Sequence, residues 1–232
     1  ITESSNLGTA RIAKMIGPEK QREFLSSLGF SKPTTIEMIE ANGGKPLLPK
    51  RWNELETMTI SYGHGLSATP LHLATGYATL ANGGRLVNPT LLQEVKPVLG
   101  PRVISKEVAE NSLAMLRGVV TGGTASLADV DGYFVGGKTG TADKPSSQGG
   151  YDKEKNITNF ASIFPINEPK YVLVVTLDEA QDTSGPEPKR TAGWTAVPVS
   201  AEIIARVAPL LGLRPKFDNH STIGITLSNW QE

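Results

Sequence analysis

The heptapeptide Gly136-Gly137-Lys138-Thr139-Gly140-Thr141-Ala142 gathers more chemical potential than any other stretch of the chain. It falls where the pattern predicts a strand, and glycine is a poor strand former, so small positions around one lysine call for a reason. One reason is close approach of another backbone, because a peptide can pair along an edge strand only where no side chain blocks it. Lys138 would then offer positive charge, and Thr139 and Thr141 hydroxyl donors, to a carboxylate or a developing oxyanion. The plainer alternative is a bulged, glycine-rich strand with a solvated lysine. A second candidate is Ser4-Ser5-Asn6, at the start of a predicted helix. Serine and asparagine are preferred N-caps, so taken alone this trio is explained by capping.

The remaining candidates carry less. His64, His72 and His220 have no mutual spacing that suggests a metal site, and the absence of cysteine argues against zinc. His64, in a Gly-His-Gly loop, could lie near a site but reads better as a packed loop histidine. Asp178, Glu179 and Asp182 could be paired carboxylates of a glycosidase, but they follow a predicted strand closely and read as its solvated end. Asp152-Lys153-Glu154-Lys155 reads as a solvated loop.

The elements that must position these residues follow from periodicity and punctuation. Leu7 to Ile16 is loosely helical and stops at Gly17-Pro18, and a second helix carries Phe24, Leu25 and Leu28 before Gly29. From Phe30 to Ser61 the text is irregular, with one short helix expected in it. Thr69-Pro70 starts a helix that Gly83-Gly84 closes, and another runs from a cap at Ser105 through Val120. Tyr133 to Ala142, Asn159 to Phe164 and Tyr171 to Leu177 then read as strands, the last two joined by a six-residue turn into an antiparallel hairpin. The polar stretch Asp143 to Asn156 reads as a mobile loop. A closing helix presents Val199, Ile203, Val207 and Leu210, ending at Gly212. Helices, a strand cluster and a last helix predict an α+β fold, an antiparallel sheet flanked by helices. Residues 1–213 form the domain, and 214–232 a C-terminal tail with at most one extra strand.

Composition narrows the classes. The 232 residues hold 23 basic and 23 acidic side chains, no cysteine and 38% apolar residues. Zero net charge argues against electrostatic capture of nucleic acid or anionic lipid, and the missing cysteines exclude disulfide scaffolds and thiol chemistry. The longest apolar run, Tyr171 to Leu177, is too short to span a bilayer.

Taken together, Ser4-Ser5-Asn6 at a helix start and Lys138-Thr139-Gly140 on a strand resemble two of the three motifs of the penicillin-binding serine acyltransferases. Ser61 to Leu71, with its Tyr-Gly-His-Gly-Leu core, is similar to the segment before a core helix of class B penicillin-binding proteins. Gly122-Gly123-Thr124-Ala125 and the Asn159 to Ala180 hairpin fit in order and spacing, so the resemblance runs from residue 1 to about 213. Lys-Thr-Gly-Thr-Ala leans toward the division-specific branch, penicillin-binding protein 3.

The resemblance implies a partial penicillin-binding-protein/β-lactamase-like transpeptidase fold and a serine acyl-enzyme route that cross-links D-Ala-D-Ala stem peptides of peptidoglycan. In that scheme Ser4 relays protons between a base lysine and Lys138, and Asn6 holds the acyl portion of the substrate. Lys138 supplies positive potential, Thr139 and Thr141 bind the terminal carboxylate along the Gly140 backbone, and the Thr141 N–H serves the oxyanion. β-Lactam antibiotics would be bound as mimics, with no metal or other cofactor. Divisome proteins and a glycosyltransferase would be partners, at the bacterial inner membrane with the catalytic domain in the periplasm. The third motif departs from the pattern: no serine in the sequence has a lysine three positions on. The nucleophile is therefore expected N-terminal to Ser4, with a membrane anchor further upstream. This chain alone is expected not to acylate, and to expose apolar surface where the rest packs. Alternatives are a β-lactamase or carboxypeptidase relative, for which no water-activating group is evident, or a non-catalytic β-lactam-sensing or partner-binding module.

Overall fold

A computed structural model, which describes residues 1–93, 98, 100–146 and 148–217, contains six α-helices and a three-stranded antiparallel sheet; the last three helices pack against the sheet and the first three against one another. The helices are α1 (Asn6–Ile16), α2 (Pro18–Ser27), α3 (Glu54–Ser61), α4 (Pro70–Ala81), α5 (Lys106–Gly122) and α6 (Ala196–Leu210). The strands are β1 (Gly136–Pro145), β2 (Tyr151–Phe164) and β3 (Tyr171–Asp178), in spatial order β1-β2-β3. The α+β architecture is as expected, and β1 lies at an edge, paired on one side only among the described residues.

The helix ends follow the cap signals. Thr69 accepts the His72 N–H with Pro70 in the first turn, and Ser105 accepts from Val108. The short helix expected in the irregular stretch is α3, held by a capping box in which Asn53 and Glu56 satisfy each other's backbone donors. His72 is buried and bridges two segments. Its Nε2–H donates to the Lys32 carbonyl at 2.7 Å, which leaves Nδ1 to accept from the Thr69 hydroxyl at 2.7 Å.

Alternation along β2 sorts the core into two layers. Phe160 and Phe164 point to one face and meet Val197 and Ile204 of α6, with Val119 and Val120 of α5 alongside. Ile163 points to the other and meets Leu116 of α5, flanked by Tyr77 and Leu80 of α4. Phe160, Ile163 and Ile204 are completely buried, each contributing about 2–3 kcal/mol of hydrophobic stabilisation. Tyr77 is thus core packing, as expected, and burial pushes its phenol pKa up.

Two boundaries differ from expectation. The polar stretch 143–156 is not a mobile loop but an extension of the β1–β2 hairpin, strands running to Pro145 and from Tyr151, with a register shift between Asp143 and Lys144. Its charged residues are tolerated because the extension projects into solvent, where Lys144 ion-pairs with Asp178 and Glu179, and Glu154 with Arg190. Asp178 and Glu179 are therefore a tethered strand end, as read from the sequence. The first strand also starts later than expected. Tyr133 closes a turn onto Val130, Phe134 sits at φ 44°, and the ladder begins at Gly136. Residues 214–217 fold back, the Lys216 N–H donating to the Gly132 carbonyl at 2.9 Å. The extra strand considered for the tail, and His220, lie outside the described residues. Among the described residues no helix is long and apolar enough to cross a membrane.

Candidate active site

Ser5, not Ser4, caps α1: its hydroxyl accepts the Gly8 N–H at 3.1 Å. That division of labour frees Ser4, which stands one residue before the cap at φ 52° with its N–H on the Ile1 carbonyl. A β-carbon in the left-handed region costs about 1–2 kcal/mol, and such strain concentrates at functional sites. The freed hydroxyl accepts from Lys138 Nζ at 2.8 Å, across 134 residues of sequence.

Lys138 donates to three acceptors: Ser4 Oγ, the Thr139 carbonyl at 3.0 Å and Thr139 Oγ1 at 3.3 Å. An ammonium has three protons, so its donor capacity is filled. All three acceptors are neutral, and among the described residues no carboxylate lies within ion-pair distance of it. Burial holds its pKa below the ordinary lysine value. A half-buried cation whose neighbours are all neutral is suited to pairing with an anion.

The register explains which groups face the same space. Lys138 pairs with Ala161 and Gly140 with Asn159, and all four line a cleft of about 480 Å³ together with Ser4, Asn6 and Thr139. Its floor is apolar, from Leu25, Phe30, Leu73 and Tyr77, and Lys138 is the one charged side chain among the lining residues. Leu25, Phe30, Leu73 and Tyr77 also line an adjoining trough of about 540 Å³, walled further by Phe24, Leu28, Leu80 and Val108. Exposed apolar side chains extend this pattern onto α1, where Leu7 and Met15 are 80% and 86% exposed.

Five of the six residues singled out from the sequence, Ser4, Asn6, Lys138, Thr139 and Gly140, meet in this cleft. Thr141 lies just beyond its wall, where its oxygen accepts the Ala192 N–H at 3.0 Å. That bond orients the hydroxyl and leaves its proton free to donate. His64 is packed between Tyr62 and Tyr151, with ring centroids 5.4 Å from each; Tyr62 lines the cleft, so the loop borders the site. The glycine argument divides. A Cβ on Gly137 would lie 2.5 Å from the Ala161 carbonyl oxygen, so internal packing excludes it, whereas one on Gly140 would meet nothing nearer than Asn159 Cβ at 3.9 Å. Only Gly140 leaves room for another backbone.

Sequence reasoning missed Thr124, which it read only as part of a motif. The Thr124 hydroxyl lies 2.8 Å from that of Thr139.

Comparison with known proteins identifies the family. The penicillin binding protein transpeptidase domain family matches residues 1–204. A probable peptidoglycan D,D-transpeptidase FtsI of Caulobacter vibrioides is 34% identical over 225 residues, covering 92% of this chain and 38% of that protein. The peptidoglycan D,D-transpeptidase FtsI of Escherichia coli K12 is 30% identical over 217 residues, covering 93% and 36%. Among solved structures, the transpeptidase domain of Burkholderia pseudomallei penicillin-binding protein 3 superposes with a TM-score of 0.83 at 34% identity, over 94% of this chain and 65% of that one. Penicillin-binding protein 3 of Mycobacterium tuberculosis, complexed with aztreonam, gives 0.80 at 28%, over 93% and 51%. The chain thus spans little more than a third of the length of these curated relatives. On the family match, the shared fold and the motif residues brought together in one cleft, the chain belongs to the transpeptidase domain family of penicillin-binding proteins.

Proposed function

We propose that this chain is the substrate-recognising portion of a peptidoglycan D,D-transpeptidase that cross-links stem peptides through a serine acyl-enzyme. The observation that carries the reading is the Lys138 ammonium on an edge strand, bonded to Ser4 and Thr139 and lacking, among the described residues, an anionic partner. A D-Ala-D-Ala terminus offers what such an edge can take: an extended backbone for β1 and a carboxylate for the Lys138 field. Thr139 and the free proton of Thr141 donate to that carboxylate, Asn6 steadies the acyl portion, and the Thr141 N–H serves the oxyanion. Ser4, bonded to Lys138, is placed to pass a proton toward the leaving amine. β-Lactams occupy the same edge as mimics of the dipeptide; the relative bound to aztreonam supports this by homology.

The attacking serine and its base belong to a Ser-x-x-Lys segment outside these 232 residues, since no serine here has a lysine three positions on. The apolar trough adjoining the cleft suits the buried face of that segment. Cell division is the setting suggested by the FtsI relatives. The enzyme would work on the outer side of a bacterial inner membrane, alongside divisome proteins and a glycosyltransferase.

A transpeptidation assay on the longer polypeptide, with a stem-peptide donor and an amine acceptor, tests the reaction class. Cross-linked product is the expected result. Hydrolysis of the donor without cross-links would make the protein a carboxypeptidase, and acylation by penicillin with neither product would make it a sensor.

A further inference from the structure

The Thr124 hydroxyl touches no ligand group assigned so far, yet it sits against one that does. Thr139 Oγ1 lies 3.3 Å from Lys138 Nζ and 2.8 Å from Thr124 Oγ1. A hydroxyl oxygen has two acceptor positions and one proton. The Lys138 ammonium can only donate, which fills one acceptor position of Thr139. The direction of the Thr124–Thr139 bond then decides where the Thr139 proton goes. If Thr139 donates to Thr124, it has nothing left for a substrate. If Thr124 donates, both acceptor positions of Thr139 are filled and its proton must point elsewhere, toward an incoming acceptor.

We propose that Thr124 is a positioning residue of the carboxylate subsite, donating to Thr139 so that the Thr139 proton is aimed at the substrate carboxylate. This rests on the reading of the cleft as a D-Ala-D-Ala site. An anion bound at Thr139 favours this direction throughout the chain of bonds, because each donor polarises the next. Thr124 is well placed to hold its orientation. The next residue, Ala125, is fully buried, with its N–H on the Val119 carbonyl at 3.1 Å. The Thr124 N–H itself faces the Thr2 carbonyl at 3.4 Å, and its carbonyl lies so near Gly193 that a Cβ there would be 2.9 Å away. Thr124 therefore joins three parts of the site: the segment that delivers Ser4, the strand that carries Lys138, and the loop whose Ala192 N–H holds Thr141.

The test is pre-steady-state acylation of the longer, Ser-x-x-Lys-bearing polypeptide by benzylpenicillin and by its methyl ester, which lacks the charge. Thr124→Val is expected to weaken reversible capture of the free acid about five- to tenfold. The limiting acylation rate and capture of the ester should change less than about twofold, and Thr124→Ser should restore capture. Thr124→Ala serves as a second hydroxyl-free variant, and thermal unfolding confirms that each variant is folded. Unchanged capture of the acid, an equal loss for acid and ester, or failure of serine to restore would each overturn the assignment. Lys138→Ala in the same polypeptide separates the two levels. If it acylates at the wild-type rate, the reading of the whole cleft fails; if it does not while Thr124→Val behaves as wild type, only the role of Thr124 fails.

Discussion

Lys138→Ala is expected to lower the rate at which the longer polypeptide is acylated by a labelled penicillin about 10²–10³-fold, while the circular dichroism of the fold stays unchanged. The magnitude follows from what the ammonium does. It is the one charged side chain among the described residues lining the cleft, it is half-buried, and it holds Ser4 and both oxygens of Thr139. On the proposed reading, removing it would delete both the field that draws the carboxylate and the group that orients the proton relay, so the expected loss exceeds that of one neutral hydrogen bond. The fold does not depend on the lysine, because the buried residues of β1 are Gly136 and Gly137 at its start, not Lys138. A pH arm accompanies this variant. Burial depresses the Lys138 pKa below 10.5, so the unfolded chain binds this proton more tightly than the folded one. The contribution of Lys138 to stability is complete above 10.5 and is lost as pH falls through the depressed value. Urea unfolding between pH 8 and 11 should therefore show wild type gaining stability relative to Lys138→Ala as pH rises. A gain in the opposite direction would mean that the ammonium is stabilised in the fold rather than strained by it.

A pair of glycine variants should part company just as clearly. Gly137→Ala places a methyl 2.5 Å from the Ala161 carbonyl oxygen and 2.7 Å from Phe160 Cζ, the latter a fully buried ring that cannot move aside. The expected cost is about 2–3 kcal/mol, or a fall in Tm of roughly 5–10 °C for a chain of this size. Gly140→Ala meets only Asn159 Cβ at 3.9 Å, so stability should change by less than about 1 kcal/mol. Its methyl, however, would enter the cleft, where the proposed function has a substrate backbone pair with β1. Displacing that backbone by about an ångström can cost 10²-fold in acylation. Differential scanning calorimetry and acylation rates thus read opposite patterns from two alanines three residues apart. Equal stability losses, or wild-type acylation by Gly140→Ala, would show that the edge strand is not where substrate lies.

Much of this was legible in the sequence because local rules and tertiary context agreed. Thr69-Pro70 and Ser105 mark helix starts by cap chemistry alone, and Tyr171 to Leu177 is a strand by composition and by structure. The strand carrying Lys138 is legible despite its glycines, and the reason offered for those glycines, close approach of another backbone, fits only Gly140. Gly137 is small because Phe160 and Ala161 approach from the neighbouring strand, a contact that no sequence window contains. The hairpin extension through 143–156 was hidden for a different reason. Charged residues read as loop until the ion pairs of Lys144 with Asp178 and Glu179 bring distant positions together. The role expected of Ser4 came from the family resemblance alone, since helix capping accounts for serines at that position; only the structure shows that Ser5 does the capping. Thr124 was legible as a motif member and silent as to its partner, fifteen residues away on another element.

The most direct measurement is peptide mapping, by mass spectrometry, of the adduct formed with a labelled penicillin, performed on these 232 residues alone and on the longer polypeptide. No adduct is expected on this chain by itself. One is expected in the longer protein, on the serine of a Ser-x-x-Lys segment N-terminal to Ile1 and dependent on Lys138. A stable adduct on Ser4, or on any other residue of this chain, would contradict this expectation.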